Sequence, residues 1–485
     1  MSEEFEVVLD GKLPKPIHPT IDVVDDHLYF GLLLPVKDRD GNIQEAYGYI
    51  NDDLELFPVT EENLRKRGLT WRNEPQCYLS KLTIDGVREI LNGAVCDVCV
   101  VCRPTFELIN ELKRYIEFAD PYEYMVVALW IIGTYLQPIW KSYPYIGISG
   151  LKATGKSKLL TFLSLTAFNG VLSCNISTAA LYRLIHDTKC SLLIDEAHRL
   201  SIESERRSEL FNILYAGYKR GAFVFRAEES KRRHIPRRFD VFSPKAFVTF
   251  QGLEEILNDR SVNIVMLRSM NKDILNTEID ETNPVWEKIR NCLYVFALKN
   301  WRKIRELYNT IPRISFIEGR AWELWKPLIT LHMFLYGEDE TIDFANNYIK
   351  AKVQERVEDG LSSPEAILLT ALATYVNDDR FYSISEIKSA VLEVIKLEHG
   401  GELDSEPKWL SSKWIGRTLT SQFKISKRRV GGKPQYHLSR EIVRELCRRY
   451  NVSEGLLQIT QTSQTTPVAK LDGYMEDNSG GGEVE

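Results

Sequence analysis

Residues 145–166 read YIGISGLKATGKSKLLTFLSLT, and this stretch decides the fold class. It begins with the short apolar run YIGIS, typical of a buried strand, and it ends with apolar residues at helical spacing. Between them lies GLKATGKS, residues 150–157, which fits the pattern G-x-x-x-x-G-K-[ST]. A loop of this kind between a strand and a helix can wrap phosphate groups. The sequence therefore predicts an α/β fold with a phosphate-binding loop after one strand.

The residues of this loop suit the binding of a nucleoside triphosphate. Its glycines let backbone N–H groups approach phosphate oxygens, Lys156 reaches the β- and γ-phosphates, and the Ser157 hydroxyl ligates Mg²⁺. We therefore predict ATP and Mg²⁺ as cofactors. The alternative is a glycine turn that only joins two elements. The candidate nucleotide contacts are Gly150, Leu151, Lys152, Ala153, Thr154, Gly155, Lys156, Ser157 and Lys158.

A second stretch, SLLIDE at residues 191–196, supplies acidic side chains. Its apolar part predicts a buried strand that ends at Asp195 and Glu196, as in a Walker B motif. Asp195 is expected to hold the Mg²⁺, and Glu196 to orient and deprotonate the attacking water. The alternative is an acidic pair that caps a helix. Together with Lys156 and Ser157, these two residues form the predicted catalytic centre.

Two further polar positions are candidates for contact with the nucleotide. KAFVTFQG, residues 245–252, predicts another core strand, with Gln251 as the contact to the γ-phosphate or water and Thr249 as second choice. The alternative is a strand that runs into a polar turn. LNDRSVNIVML, residues 257–267, places Arg260 just before an apolar strand. An arginine there can stabilise transition-state charge in a neighbouring subunit, the alternative being a surface arginine.

Outward from this core, the pattern of apolar residues divides the chain. Strands and helices alternate over residues 145–267, which favours a parallel sheet. Short Val-, Ile- and Tyr-rich runs precede it, and helical spacing followed by a Gly431-Gly432 hairpin signal comes later. The expected parts are a β-rich N-terminal domain at 1–104, a helical lead-in and P-loop core at 105–280, a helical lid at 281–355, a winged-helix domain at 360–452 and a disordered tail at 453–485.

Composition excludes several classes of protein. Hydrophobic residues make up 44% of the 485 and charged residues 27%, which is ordinary for a globular protein and unlike a disordered or collagen-like chain. The longest apolar run, residues 125–136, is too short to span a bilayer and predicts a core helix. The first residues lack the features of a secretion signal, so we expect a cytoplasmic protein without a membrane partner. The eight cysteines are expected to be free thiols.

Two other signals in the sequence carry less weight. Four cysteines, at a spacing that could bind Zn²⁺ or an iron–sulfur cluster, are Cys77, Cys96, Cys99 and Cys102. The last three lie in VCDVCVVC, which reads as a strand whose i and i+3 side chains face opposite ways, so a metal is not expected. His198 belongs to the sequence DEAH but is expected to lie on a loop.

The net charge of −6 means that any contact with nucleic acid needs local basic patches. Residues 218–245 hold nine basic and three acidic residues, with apolar runs on either side of KRRHIPRR. This pattern predicts a basic hairpin that grips phosphates, the alternative being a solvated loop. The expected DNA contacts are Arg226, Lys231, Arg232, Arg233, Arg237 and Arg238.

A second patch, residues 409–440, holds eight basic residues and no acidic one. In the proposed winged helix, Lys413 and Arg417 lie one turn apart on a helix that can enter a major groove. The wing follows the phosphates through Lys427, Arg428 and Arg429. Winged helices also serve as protein-interaction modules, and this alternative stays open.

In their order and spacing, GLKATGKS, SLLIDEAH, FVTFQG and LNDRSVNIVMLR resemble the AAA+ branch of P-loop ATPases. Within it they are similar to the helicase-like ATPases of archaea, phages and plasmids that are related to superfamily III and MCM helicases. The phrases SYPYIGISGLKATGKS, NISTAALYRLI, LYAGYKRGAFVFR and GRAWELWKPL also look like that group. The resemblance spans roughly residues 105–350.

The resemblance implies a hexameric ring with single-stranded DNA at the hairpins in its channel. Duplex DNA at the winged helix is predicted from the basic residues of that domain alone. The resemblance also makes Arg260 a finger in trans and Arg320, at the start of a lid helix, a sensor-2-like contact. One departure is the sensor-1 position, where superfamily III helicases usually place Asn and this chain has Gln251 or Thr249. The expected function is an ATP-hydrolysing motor on DNA, a replicative helicase or replication initiator of a mobile element. The alternative is a DNA-binding regulator in which ATP acts as a slow structural switch.

Overall fold

The chain divides into two compact units, residues 1–350 and residues 351–485. The computed structural model describes residues 13–37, 40–71, 79–93, 103–174, 176–195, 211–230, 233–248, 255–361, 364–398, 406–407, 409–450 and 452.

The first unit combines strands with a larger number of helical residues. Its strands are β1 (Lys15–Ile17), β2 (Ile21–Val24), β3 (His27–Lys37), β4 (Ile43–Asn51), β5 (Leu56–Pro58), β6 (Leu69–Trp71), β7 (Tyr145–Ser149), β8 (Val171–Ser173), β9 (Leu192–Ile194), β10 (Phe223–Ser230), β11 (Arg233–Asp240), β12 (Lys245–Val248) and β13 (Ser261–Val265). Its helices are α1 (Glu61–Lys66), α2 (Ile84–Leu91), α3 (Arg103–Tyr115), α4 (Tyr122–Thr134), α5 (Lys156–Thr166), α6 (Thr178–Thr188), α7 (residues 211–216), α8 (Glu255–Asn258), α9 (Lys272–Asn276), α10 (Val285–Thr310), α11 (Gly319–Tyr336) and α12 (Glu338–Phe344). The first unit ends with a π-helical turn, Ala345–Ile349, and the first residue of α13 (Lys350–Leu361), whose other residues belong to the second unit.

The core of this unit is a parallel sheet of five strands in the order β13-β7-β12-β9-β8. Strands β9 and β12 are buried along their whole length, as expected for parallel strands covered on both faces. Because all five strands run the same way, their carboxyl ends meet at one edge of the sheet and their amino ends at the other. The predicted α/β class with a parallel sheet is confirmed.

The apolar run at residues 125–136 forms most of α4, which is buried on every side from Val126 to Thr134. A helix that is apolar on all sides is stable in water only where all of its sides are packed, and α4 is such a helix. Among the described residues, no helix has both the length and the apolar character needed to cross a membrane.

Aromatic rings join the N-terminal strands to the core. Strands β2 to β5 form an antiparallel sheet. The ring of Phe30 in β3 packs edge to face on the ring of Tyr294 in α10, with 4.9 Å between the ring centres. The ring centre of Tyr135 also lies 4.9 Å from that of Tyr294, and the Phe168 ring packs on Tyr135 at 5.5 Å between centres. The parts expected as N-terminal domain, core and lid thus lie within one compact unit, and the boundaries between them stay predictions.

The second unit contains helices and a three-stranded antiparallel sheet of order β14-β16-β15. The predicted hairpin at Gly431-Gly432 is present: both glycines have positive φ, +57° and +79°, which suits a two-residue turn. Its elements are α14 (Pro364–Tyr375), β14 (Arg380–Ser383), α15 (Ile384–Glu398), α16 (Ser412–Arg417) with a π-helical turn at Thr418–Gln422, β15 (Lys427–Val430), β16 (Lys433–Leu438) and α17 (Arg440–Arg449).

Lys245, the first residue of β12, is fully buried beside the core sheet. Its amine donates to the Val241 carbonyl at 3.2 Å and to the carbonyl and hydroxyl of Ser243 at 3.0 Å each. Burial removes water from the ammonium group and lowers the pKa of Lys245 to about 7. The folded protein therefore binds a proton here less tightly than the unfolded chain does.

Lys245→Met is expected to flatten the rise of stability with pH above about pH 7. In that range the unfolded lysine, with its usual pKa of 10.5, still binds the proton that the folded lysine has released. The free energy of unfolding therefore rises with pH, by at most about 1.4 kcal/mol per pH unit from this group. Urea unfolding of both proteins at about pH 7 and about pH 9 measures the difference, and parallel pH dependences would contradict the assignment.

Candidate functional site

The loop between β7 and α5 depends on glycine at both of its ends. Gly150 has a φ of +143°, and a Cβ there would lie 2.3 Å from the Met266 carbonyl oxygen. Gly155 has a φ of +89° and caps the amino end of α5. L-residues rarely adopt such angles, so the glycines shape this backbone. The free N–H groups of the first turn of α5 follow directly.

Ser157 and Asp195 meet at the carboxyl edge of the sheet. The Ser157 hydroxyl donates to the Asp195 carboxylate at 3.0 Å. Ser157 lies in the first turn of α5, and Asp195 follows β9, two strands away from β7. A cavity of about 280 Å³ opens here, lined by Lys152, Ala153, Thr154, Gly155, Lys156, Ser157, Lys158, Asp195 and Val248. The structure thus brings together the two predicted Mg²⁺ ligands.

The Lys156 side chain lies within the loop itself. It is 5% exposed, and its amine donates to the carbonyls of Gly150 at 2.8 Å and Leu151 at 2.5 Å. Burial lowers the pKa of this amine, and the nearby Asp195 carboxylate opposes that shift. The cation is therefore held at the loop where phosphate is expected to bind.

The Lys158 side chain is bonded to a neighbouring helix, and its predicted contact with the nucleotide stays a prediction. It lines the same cavity, but its amine donates to the carbonyls of Ile274 and Thr277 at 2.8 Å each. Both carbonyls lie at the end of α9, where a helix leaves its last C=O groups without partners inside the helix. Lys158 satisfies them and ties residues 274–277 to α5.

Arg260 lies at the edge of the sheet opposite to the P-loop. It precedes β13, and its carbonyl accepts a hydrogen bond from the first backbone N–H of β7, that of Tyr145, at 3.0 Å. The P-loop begins only after β7 ends, about 15 Å further along that strand. Within one chain, Arg260 therefore does not meet the residues that line the cavity.

Arg320 lies at this opposite edge as well. Its guanidinium pairs with the Asp259 carboxylate at 2.9 Å, so the structure does not bring it to the P-loop of its own chain. The guanidinium carbons of Arg260 and Arg320 lie 6.0 and 5.9 Å from the centre of the Tyr218 ring. Spacing along the sequence gave no signal for this cluster of two arginines on one tyrosine.

Several predicted residues lie outside the described part of the chain. Among the catalytic candidates these are Glu196, Gln251 and its alternative Thr249, and among the DNA contacts they are Lys231 and Arg232. The same holds for His198, for the four clustered cysteines Cys77, Cys96, Cys99 and Cys102, and for the tail at 453–485. Their roles stay predictions.

The basic hairpin predicted before the third core strand is present as β10 and β11. The strands pair from Phe223 and Asp240 at the base to Ser230 and Arg233 near the tip. Arg226 and Arg237 are direct register partners on one face, and their guanidinium carbons lie 5.5 Å from the centre of the Tyr182 ring and 5.3 Å from the centre of the Phe239 ring, respectively. On the other face, the guanidinium carbon of Arg238 lies 4.2 Å from the centre of the Phe223 ring. The hairpin thus presents cations on both faces.

The basic residues of the second unit fall into two groups. Lys413 and Arg417 are exposed on α16, and Lys427 and Arg429 are exposed on one face of strand β15. Lys427 pairs with Tyr436, whose hydroxyl approaches Gly416 of α16, so that face of the hairpin lies on the side of α16.

Arg428 points to the opposite face of the hairpin. Its guanidinium carbon lies 3.8 Å from the Phe381 ring centre, and its Nε donates to Gln435 at 3.2 Å. We predicted three equivalent wing cations, and the structure separates this one from the others because strand residues alternate between two faces. That alternation was the signal that could have distinguished Arg428.

Comparison with known proteins finds remote likeness to solved structures. No family model matches the sequence, and no curated protein matches it. The chain is similar to the C-terminal region of NrS-1, at 13% identity over 81% of this chain and 94% of that one, with a TM-score of 0.30. It is similar to an MCM homolog from Methanopyrus kandleri, at 11% identity over 67% and 77%, with a TM-score of 0.33. It is also similar to Drosophila ORC bound to DNA, at 12% identity over 80% and 98%, with a TM-score of 0.21. Likeness at these TM-scores does not extend to function.

Proposed function

We propose that this protein is an ATP-hydrolysing AAA+ motor that acts on DNA, as a replicative helicase or a replication initiator of a mobile element. The observation that carries the proposal is the 3.0 Å contact between Ser157 and Asp195 beside the P-loop. A hydroxyl and a carboxylate are oxygen ligands of the kind that Mg²⁺ prefers, and P-loop enzymes use this pair to hold it. Bound there, Mg²⁺ would neutralise charge on the β- and γ-phosphates.

The remaining steps fall to residues of this chain. Backbone N–H groups of the loop and of the first turn of α5 hold the phosphates. Lys156 moves its amine from the loop carbonyls to the β- and γ-phosphates, and Glu196 orients and deprotonates the attacking water. Arg260 supplies positive charge to the nucleotide of an adjacent chain, and Arg320 lies beside it for the same nucleotide. This division of residues requires an oligomer, which we propose to be a hexamer.

DNA would bind at two places. The cationic side chains that the β10–β11 hairpin carries on both faces support a phosphate contact there, because binding to the DNA backbone depends on the cations that reach its phosphates. In the second unit, the order of helices followed by a glycine-turn hairpin is that of a winged helix, which would place α16 in a major groove. The β10–β11 hairpin would hold single-stranded DNA, and the winged helix would hold duplex DNA.

The steady-state ATPase rate with and without single-stranded DNA tests this function. Glu196→Gln serves as the blank, because it keeps the shape of the side chain and removes the base. We expect stimulation by DNA of several-fold, together with unwinding of a forked duplex. A low rate that ignores DNA would instead support the regulator in which ATP acts as a slow switch.

The two faces of the β15–β16 hairpin allow a matched test of duplex binding. The double variant Lys427→Ala with Arg429→Ala is expected to weaken binding to duplex DNA. It should also reduce the slope of log Kd against log salt concentration by the amount expected for about two phosphate contacts. Arg428→Ala, the control with the same loss of charge per residue, is expected to have the smaller effect because that side chain stacks on Phe381. Fluorescence anisotropy across a salt series measures both, and an equal effect of Arg428 would contradict the assignment.

A further inference from the structure

The ring of Tyr218 lies next to both arginines at the amino edge of the core sheet. The guanidinium carbons of Arg260 and Arg320 are 6.0 Å and 5.9 Å from the ring centre, within the range at which a cation is attracted to an aromatic ring. Tyr218 itself is 2% exposed. A ring buried to this degree cannot touch a nucleotide of another chain, so any part it has in the reaction is exerted through the two arginines.

Bonds at both ends of the residue fix the Tyr218 ring. Its hydroxyl donates to the Glu323 carboxylate at 3.1 Å, and that carboxylate also pairs with Lys219 at 2.7 Å. Its backbone carbonyl accepts a hydrogen bond from the Tyr143 N–H at 3.2 Å, just before β7 begins. Burial and the Glu323 carboxylate raise the pKa of the Tyr218 hydroxyl, so the hydroxyl keeps its proton and stays a donor.

Arg260 is oriented more by rings than by hydrogen bonds. Its Nη1 donates to the Ile256 carbonyl at 2.7 Å, whereas its buried Nε has no hydrogen-bond partner within the described part of the chain. A second ring, that of Tyr215, has its centre 5.5 Å from the guanidinium carbon. Because a planar guanidinium packs well on aromatic faces, the two tyrosines determine the direction in which this cation points.

Arg320 is held beside the same ring by charged neighbours of the other residues. It pairs with the Asp259 carboxylate at 2.9 Å, and Asp259 directly precedes Arg260 in the sequence. Glu323 follows Arg320 by three positions on α11, so the two side chains lie on one face of that helix. The Tyr218 ring thus lies between the segment that leads into β13 and the first turns of α11.

We propose that Tyr218 is a positioning residue, which holds the guanidinium groups of Arg260 and Arg320 in the arrangement that the nucleotide of an adjacent chain requires. The inference rests on the proposed function, in which both arginines act across a contact between chains. Phosphoryl transfer depends on charges that are in place before the reaction begins, because little covalent chemistry falls to the protein. A guanidinium without the ring beside it loses part of that placement.

Replacement of the ring in the full chain tests the proposal. Tyr218→Leu is expected to lower kcat about tenfold or more, since a misplacement of about 1 Å at a reacting centre can cost about a hundredfold. The KM for ATP should stay within about twofold, because the P-loop of the chain is unaltered. Tyr218→Phe keeps the ring and should keep kcat within about threefold of the unaltered protein.

A matched control separates this role from the loss of a buried tyrosine. Tyr49→Leu removes a fully buried ring of β4 whose hydroxyl also donates a hydrogen bond, to the His18 carbonyl at 3.2 Å. It should keep kcat within about twofold. Thermal unfolding of each variant checks that it is folded. Should Tyr218→Leu unfold, Tyr218→Met fills more of the space without a ring and is expected to show the same loss of kcat.

Mixing of variant chains locates the defect. Tyr218→Leu chains keep an intact P-loop, so added Lys156→Ala chains, which keep the tyrosine and both arginines, should restore activity where the two kinds meet. Added Arg260→Ala chains should restore none, because both variants are defective at the same edge of the sheet. A loss of packing within the Tyr218→Leu chain would not be cured by a neighbour.

Three results would overturn the inference. They are a kcat of Tyr218→Leu close to that of the unaltered protein, an equal loss in Tyr218→Phe, and no recovery on addition of Lys156→Ala chains. Failure of the proposed function looks different: the unaltered protein would not hydrolyse ATP, or Arg260→Ala and Lys156→Ala chains would not restore one another.

Discussion

Lys156→Ala is expected to abolish ATP hydrolysis, with a fall in kcat of about a thousandfold or more. Lys156 is the cation held within the P-loop, and its amine already lies 2.8 Å from the Gly150 carbonyl. In the proposed reaction it stabilises charge that develops on the β- and γ-phosphates, whereas the amine of Lys158, which lines the same cavity, is bonded to the carbonyls of Ile274 and Thr277. Phosphate release at saturating ATP, with and without single-stranded DNA, measures the loss.

The fold of the Lys156→Ala protein is expected to persist. The bonds lost are those to carbonyls of the loop's own backbone, at a cost of about 1 kcal/mol each. Lys288→Ala, which removes an exposed lysine from α10, controls for the change of net charge and should keep full activity. An unfolding temperature close to that of the unaltered protein, together with activity within tenfold of it, would exclude Lys156 from the chemistry.

Arg260→Ala is expected to reduce hydrolysis by about a thousandfold in the assembled protein, while ATP binding persists. The reason is its place at the amino edge of the sheet, opposite the P-loop of its own chain. In the proposed assembly, a neighbouring chain supplies the P-loop at which Arg260 acts. The loss should appear in kcat at ATP concentrations that saturate the site.

Mixing two inactive variants tests this arrangement directly. Arg260→Ala chains keep an intact P-loop, and Lys156→Ala chains keep an intact arginine, so a mixture should regain activity at interfaces that combine the two. Arg320→Ala can replace Arg260→Ala in the same mixture, because Arg320 shares that edge through its pair with Asp259. If both residues act on the nucleotide of their own chain, the mixture stays inactive.

Much of the core and of its site could be predicted because the signals are local. Short apolar runs indicated four of the five strands of the parallel sheet, β7, β9, β12 and β13, and the spacing of glycines, Lys156 and Ser157 placed the P-loop. The meeting of Ser157 with Asp195 followed from a general property of parallel sheets, whose carboxyl ends share one edge. The basic hairpin was visible as two apolar runs that flank a charged tip.

The rest depends on contacts between residues far apart in the sequence. Nothing in the sequence indicates that Lys158 reaches the end of α9, or that Arg320 pairs with Asp259. The N-terminal strands read as a separate domain because their apolar pattern is complete in itself. Where these strands pack on α10, the buried Asp52 carboxylate accepts a hydrogen bond from the Trp301 indole N–H at 2.8 Å and pairs with the Arg302 guanidinium at 2.8 Å.

The opposite positions of the P-loop and Arg260 limit the symmetry that an assembly can have. A contact that joins one edge of the sheet to the other edge of the next chain uses two unlike surfaces, so it is heterologous. A twofold dimer, which pairs like surfaces, cannot make it. Such a contact either closes into a ring or continues as a filament, and an open row always leaves one P-loop without an arginine. Closure of the ring would therefore make every site complete at once.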